Sequence, residues 1–74
     1  MKEDIKVKFA KHLKKLREER GLTQQQLAEL SNLEYKHIQR MESKKPCDVK
    51  LSTLEKLAKA FCLTLENFFS KIDL

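Results

Sequence analysis

The side chains best suited to nucleophilic or metal chemistry are few: two histidines, His12 and His37, and two cysteines, Cys47 and Cys62. These four do not fall at zinc-ligand spacing. No Ser/His/Asp or Cys/His arrangement occurs at an interpretable distance. A single glycine excludes a glycine-rich phosphate loop. No carboxylate cluster suggests a metal site. The expectation is therefore no enzyme, no metal, no cofactor and two free thiols, as in a reducing compartment. What remains is recognition by charge and hydrogen bonding. The chain carries 16 Lys and Arg against 11 Asp and Glu, a net charge of +5. That balance suits a polyanion, nucleic acid first and an anionic membrane surface second.

The charge is uneven. Residues 1–20 are net +4, residues 21–43 net −1, residues 44–50 net +2 and residues 51–74 neutral. Two basic segments thus flank a nearly neutral centre, which suggests a grip from two sides. At 74 residues, one domain spanning 1–74 is expected, and its core must be thin. The 41% hydrophobic and 36% charged composition is that of a soluble globular chain. No apolar run approaches the roughly 20 residues that cross a bilayer. Met1-Lys2-Glu3-Asp4 lacks the apolar core of a signal peptide, so a cytoplasmic location is expected.

The elements that must position a binding surface read as helices throughout. Ile5, Phe9, Leu13 and Leu16 repeat at helical spacing over residues 5–20, after Asp4 as N-cap and before Gly21 as C′ residue. Lys6, Lys8, Lys11, Lys14 and Lys15 fall mostly off that face, but the apolar face is needed for a core, which argues against a membrane-surface helix. Thr23-Gln24-Gln25-Gln26 has the form of a capping box. It opens a helix to Ser31 with Leu27, Ala28 and Leu30 as its apolar face. Asn32 tolerates a left-handed backbone. Glu34 to Ser43 form the next helix, with Ile38 and Met41 inward. Pro46 ends that stretch in a loop over 44–50. Leu51 to Phe61 form a helix with Leu54, Leu57, Ala58 and Phe61 as its stripe and Ser52-Thr53-Leu54-Glu55 as a candidate capping box. Thr64 caps a last short helix carrying Leu65, Phe68 and Phe69. His12 reads as a boundary residue of the first helix and His37 as a surface or half-buried residue of the third. No segment alternates as a strand does. The fold class is all-α, a compact five-helix bundle.

Residues 23–42 then form two short helices about a three- to four-residue turn. Ala28 permits close crossing, Asn32 the sharp turn, and Leu27, Leu33, Ile38 and Met41 clamp the pair. That is a helix-turn-helix, whose second helix enters a DNA major groove.

Leu16-Arg17, Gly21-Leu22-Thr23-Gln24, Leu27-Ala28, Ile38 with Arg40-Met41-Glu42, and Leu54-Glu55-Lys56-Leu57-Ala58 together resemble the Cro/cI (XRE-type) repressor domain. The resemblance spans about residues 5–70 and implies the lambda-repressor-like fold. The size is similar to that of restriction–modification controller proteins, small phage repressors and small antitoxin-like repressors. The resemblance implies a stand-alone regulator of transcription that acts as a homodimer on double-stranded DNA. It implies a phosphate contact from Gln24 and base-edge contacts from Tyr35, Lys36, Gln39 and Arg40. Lys36 or Arg40 suits guanine O6 and N7, Gln39 suits adenine, and Tyr35 suits a thymine methyl or a phosphate. Lys44 and Lys45 fall where the family's loop meets the DNA backbone. Arg17 and Glu42 match a structural ion pair joining the first helix to the end of the third. The last helix forms a two-fold seam in this family, which points to Leu65, Phe68 and Phe69.

Three residues depart from the family pattern. Glu34 stands where Ser or Thr is usual; its carboxylate suits a helix N-terminus, repels phosphate and can accept from a cytosine amino group. Asn32 and Lys44 each replace a common Gly. The alternative reading is an antitoxin-like module that uses the same fold to bind a protein partner.

Overall fold

A computed structural model of the protein describes residues 4–70 and Ile72. The Met1–Glu3 stretch read for a leader lies outside the described residues. Five helices follow in order: α1 (Ile5–Glu19), α2 (Gln24–Ser31), α3 (Tyr35–Met41), α4 (Leu51–Ala60) and α5 (Leu65–Phe69). There is no strand among the described residues.

Each helix starts where a side chain or an extended residue makes it start. The Asp4 carboxylate accepts from the Lys6 amide at 2.8 Å. Thr23 and Gln26 form a reciprocal box, Gln26 N–H to Thr23 Oγ1 at 3.0 Å and Thr23 N–H to Gln26 Oε1 at 2.8 Å. Thr64 Oγ1 accepts from the Asn67 amide. The expected box at Ser52 is absent: α4 begins at Leu51 with Lys50 as N-cap, two residues before Ser52, and no side chain caps it. Thr53 is thereby placed inside the helix, on its buried face.

Three of the helix ends close in the same way. Leu22 N–H reaches the Arg17 carbonyl, Leu33 the Ala28 carbonyl and Leu63 the Ala58 carbonyl, each five residues back. These are Schellman ends, which require a left-handed residue just before the long bond. Gly21 (φ +66°), Asn32 (φ +60°) and Cys62 (φ +58°) occupy those positions. Gly and Asn suit them; Cys62 does not, because its Cβ crowds the following carbonyl.

One core unites all five helices. Phe9, Leu13 and Leu16 from α1 meet Leu27 and Ala28 from α2, Ile38 and Met41 from α3, Leu57, Ala58 and Phe61 near α4, and Phe68 from α5. α2 packs on both α3 and α4, and α4 on α5. Two apolar residues expected inside are outside. Ile5, on the first turn of α1, is 55% exposed. Leu30 is 58% exposed, because it points about 110° away from the Leu27, Ala28 and Ser31 stripe at 100° per residue. Ser31 is buried instead, its hydroxyl donating to the Leu27 carbonyl at 2.7 Å.

The closing helix also departs from expectation. Phe68, assigned with Leu65 and Phe69 to a dimer seam, is wholly buried between Phe9 and Phe61. Adjacent residues on a helix point about 100° apart, so only one of the two phenylalanines enters the core. Phe69 is half-buried against Phe9 and Phe68. His12 is no boundary residue. It is buried edge-on to Phe68, and its Nε2–H donates to the Phe68 carbonyl, which can only accept.

The left-handed positions generate a paired prediction. Cys62→Gly relieves about 1–2 kcal/mol of left-handed strain and loses part of it to added freedom of the unfolded chain. The net expectation is a gain of about 0.5–1 kcal/mol in urea denaturation. Gly21→Ala, where an added Cβ meets nothing within 4 Å, should lose a similar amount through backbone strain alone. Equal signs for the two variants would contradict this account.

Candidate nucleic-acid interface

α3 has two unlike faces. Ile38 and Met41 are completely buried, and His37 is half-buried. Tyr35, Lys36, Gln39 and Arg40 form the opposite, exposed stripe, at the i, i+1, i+4 and i+5 positions that neighbour one another on a helix. Glu34 precedes it as N-cap, with a carboxylate that makes no capping bond. Lys44 and Lys45 are exposed in the bends that follow it. The side chains on offer are therefore donor forks, point charges and one amide with donor and acceptor together, the set that reads base edges and phosphates.

α3 is only seven residues long, too short to be a stable helix by itself. Its C-terminal end is held by an ion pair. Arg17 presents its guanidinium fork to Glu42, Nε to Oε2 at 2.8 Å and Nη2 to Oε1 at 3.0 Å. The pair lies inside the protein, with side-chain exposures of 11% and 2%. The third arm of the fork, Nη1, donates to the Leu22 carbonyl at 2.7 Å. The hydrogen bond to Glu42 raises the Arg17 pKa above its ordinary value despite burial. The guanidinium is thus charged throughout the neutral range. Arg17 and Glu42, coupled in sequence only by resemblance, meet as a bidentate pair.

Gln24, the first residue of α2, joins this pair. Its Nε2 donates to Glu42 Oε1 at 3.1 Å. One amide hydrogen and the amide oxygen remain free. Gln24, Gln25 and Tyr35 line one open concavity with Thr23, Gly21 and Leu22. The start of α2 and the start of α3 therefore face the same space. Gln39 Nε2 donates to the Tyr35 hydroxyl at 3.0 Å. Among the residues singled out from sequence, Gln24, Tyr35 and Gln39 are drawn together, Lys36 and Arg40 share their stripe, and Glu34, Lys44 and Lys45 flank it.

Sequence reasoning missed the second task of Glu42, since nothing at an 18-residue separation signals a contact with Gln24. It also missed Arg20, whose Nη1 donates to the Phe61 carbonyl at 2.7 Å while its guanidinium carbon lies 5.7 Å from the Phe61 ring centre. Both thiols are free, Cys47 half-buried and Cys62 exposed. Among the described residues no helix is long and apolar enough to cross a membrane.

A helix-turn-helix with an exposed, hydrogen-bonding second helix on a packed base defines a DNA-binding domain. The chain belongs to the Cro/C1-type HTH DNA-binding domain family, whose model matches residues 12–73. It is 41% identical over 61 residues to the HTH-type transcriptional regulator PuuR of Escherichia coli (strain K12), a match covering 82% of this chain and 32% of that protein. The PuuR of Shigella flexneri matches equally. The chain thus spans about a third of the length of these curated relatives. Among solved structures it is similar to the restriction-modification controller protein C.AhdI from Aeromonas hydrophila, with a TM-score of 0.79 and 34% identity over 86% of this chain and 96% of the other. It is also similar to an HTH_3 family transcriptional regulator from Vibrio cholerae, at TM-score 0.79 and 28% identity, over 88% of this chain and 36% of the other. The protein thus carries a DNA-binding domain of this family.

Removing one member of a buried ion pair leaves the other charged and unpaired, at a cost of about 3–5 kcal/mol. Glu42→Gln should therefore destabilise the fold by about that amount in chemical denaturation, and Arg17→Met should do likewise. In the double variant the loss should be well short of the sum. Strict additivity would mean the two side chains act independently.

Proposed function

We propose that residues 1–74 form one DNA-binding domain that acts as a dimer, reading a palindromic operator to regulate transcription. The observation that carries this reading is the division of α3. Its inner stripe is given wholly to the core, and its outer stripe offers Tyr35, Lys36, Gln39 and Arg40 to a groove. In this reading Lys36 or Arg40 donates to guanine, Gln39 pairs with adenine, and Glu34 accepts from a cytosine amino group. Gln24, Lys44 and Lys45 bind phosphates and set the register. Gln24 remains able to do so, because Glu42 takes only one of its two amide hydrogens.

Dimerisation is assigned to the outer edge of α5. Leu65 is 40% exposed. Phe69 borders an apolar groove of about 210 Å³ that it shares with Ile5, Phe9, Val49, Leu54 and Ile72. Apolar surface of this kind next to an exposed Leu is what a second copy would cover. Phe68 takes no part, being internal. Two copies related by a two-fold axis would place their α3 helices about one DNA turn, roughly 34 Å, apart.

Capture of fragmented genomic DNA on the purified protein at about 0.15 M salt tests the reading, and an enriched palindrome is the expected result. Uniform capture of all fragments would overturn it. Against the recovered site, Arg40→Ala should cost roughly 1–3 kcal/mol at one base pair and relax specificity there. Lys45→Ala should instead weaken every sequence alike and make the salt slope shallower by about one. Leu65→Asp, at a position with little core contact, should shift sedimentation towards the monomer and weaken operator binding with it.

A further inference from the structure

We propose that Tyr35 is a positioning residue for base reading. It acts through Gln39, by holding one amide hydrogen so that the other edge of that amide is presented to an adenine. The proposal rests on the DNA-reading function above and names how one part of it is achieved.

A glutamine amide has two hydrogens and one oxygen. Adenine is matched by the oxygen together with the hydrogen beside it, which meet N6–H and N7. The hydrogen on the far side of the nitrogen takes no part in that match. A free glutamine on a helix surface turns about three side-chain bonds and presents its amide either way round. Here Gln39 Nε2 donates to Tyr35 Oη at 3.0 Å, across one helical turn on the exposed stripe. The nitrogen is thereby tied towards the N-terminal end of α3, and the oxygen is left free. The order of acceptor and donor along the groove is set before DNA arrives.

Tyr35 is 41% exposed at the start of the stripe. Its ring stands between two shallow concavities at the junction of α2 and α3. One is lined by Gln24 and Gln25 and the other by Asn32, Leu33 and Glu34. The ring has two rotatable bonds, far fewer states than Gln39, so it is the rigid member of the pair. Its hydroxyl oxygen accepts from Gln39.

The test compares the wild type with Tyr35→Phe, Gln39→Ala and the double variant. Each is measured on the recovered operator and on its single-base substitutions. Wild type should prefer adenine at one position of each half-site, and Gln39→Ala should abolish that preference. Tyr35→Phe, which keeps the ring, should reduce the preference at that same position by about three- to tenfold. Affinity for sequences already lacking that adenine should stay unchanged. The double variant should match Gln39→Ala, since the hydroxyl has nothing left to position. In the free protein, Tyr35→Phe should also shift the Gln39 side-chain amide signals in NMR. Equal weakening on every sequence would assign the hydroxyl to a phosphate and overturn the proposal. So would an undiminished adenine preference, or unmoved amide signals. A wild type with no base preference anywhere would overturn the function proposed above, and this inference with it; a preference undiminished by Tyr35→Phe would overturn this inference alone.

Discussion

The carboxylate of Glu42 is the point on which the architecture depends. It accepts from two nitrogens of Arg17 and from Gln24, while the remaining arm of Arg17 takes the Leu22 carbonyl. The ion pair thus ties together the end of α1, the turn after it, the start of α2 and the residue that ends α3. Burying such a pair carries a desolvation penalty that its Coulomb attraction only partly repays, so its value lies in placement more than in stability. Leucines of similar volume would pack as well, but they would not set the rotation of α3 relative to α2. The planar fork of arginine does so, because two parallel bonds admit one relative orientation.

That placement matters because α3 is short. Seven residues do not sustain a helix in water, so tertiary contacts supply its order. Ile38 and Met41 anchor its middle and last turn, Glu42 its end, and Leu33 the chain entering it. The outer stripe inherits rigidity from this packed back. Side chains presented from a fixed helix lose less freedom when they meet a ligand than side chains on a loop, which is the physical advantage of reading DNA in this way.

The far end of the molecule solves a different problem. A chain of this size has a thin core, and α5 closes it with five residues. Phe68 fills the gap between Phe9, His12 and Phe61, and His12 and Arg20 satisfy the carbonyls of Phe68 and Phe61. The side chains that cannot fit, Leu65 and in part Phe69, remain at the surface. The small core and the apolar edge have the same cause.

The amino-acid sequence by itself determined the number and order of the helices, two of the three left-handed helix ends, the capping box at Thr23 and the inward residues Leu27, Ile38, Met41 and Leu57. These follow from short-range rules: helical periodicity, side chains that cap neighbouring amides and backbones that tolerate positive φ. The exposed stripe of α3 was legible for the same reason, since it is what the inward pair leaves over. Tertiary structure alone decided which of Phe68 and Phe69 enters the core, that Ile5 stays outside, that His12 goes inside and that Gln24 shares Glu42 with Arg17. Each of these depends on groups 18 to 56 residues apart in the chain or on the shape of a gap between helices. Periodicity gives a residue's direction around its own helix; only the neighbouring helices determine what that direction meets.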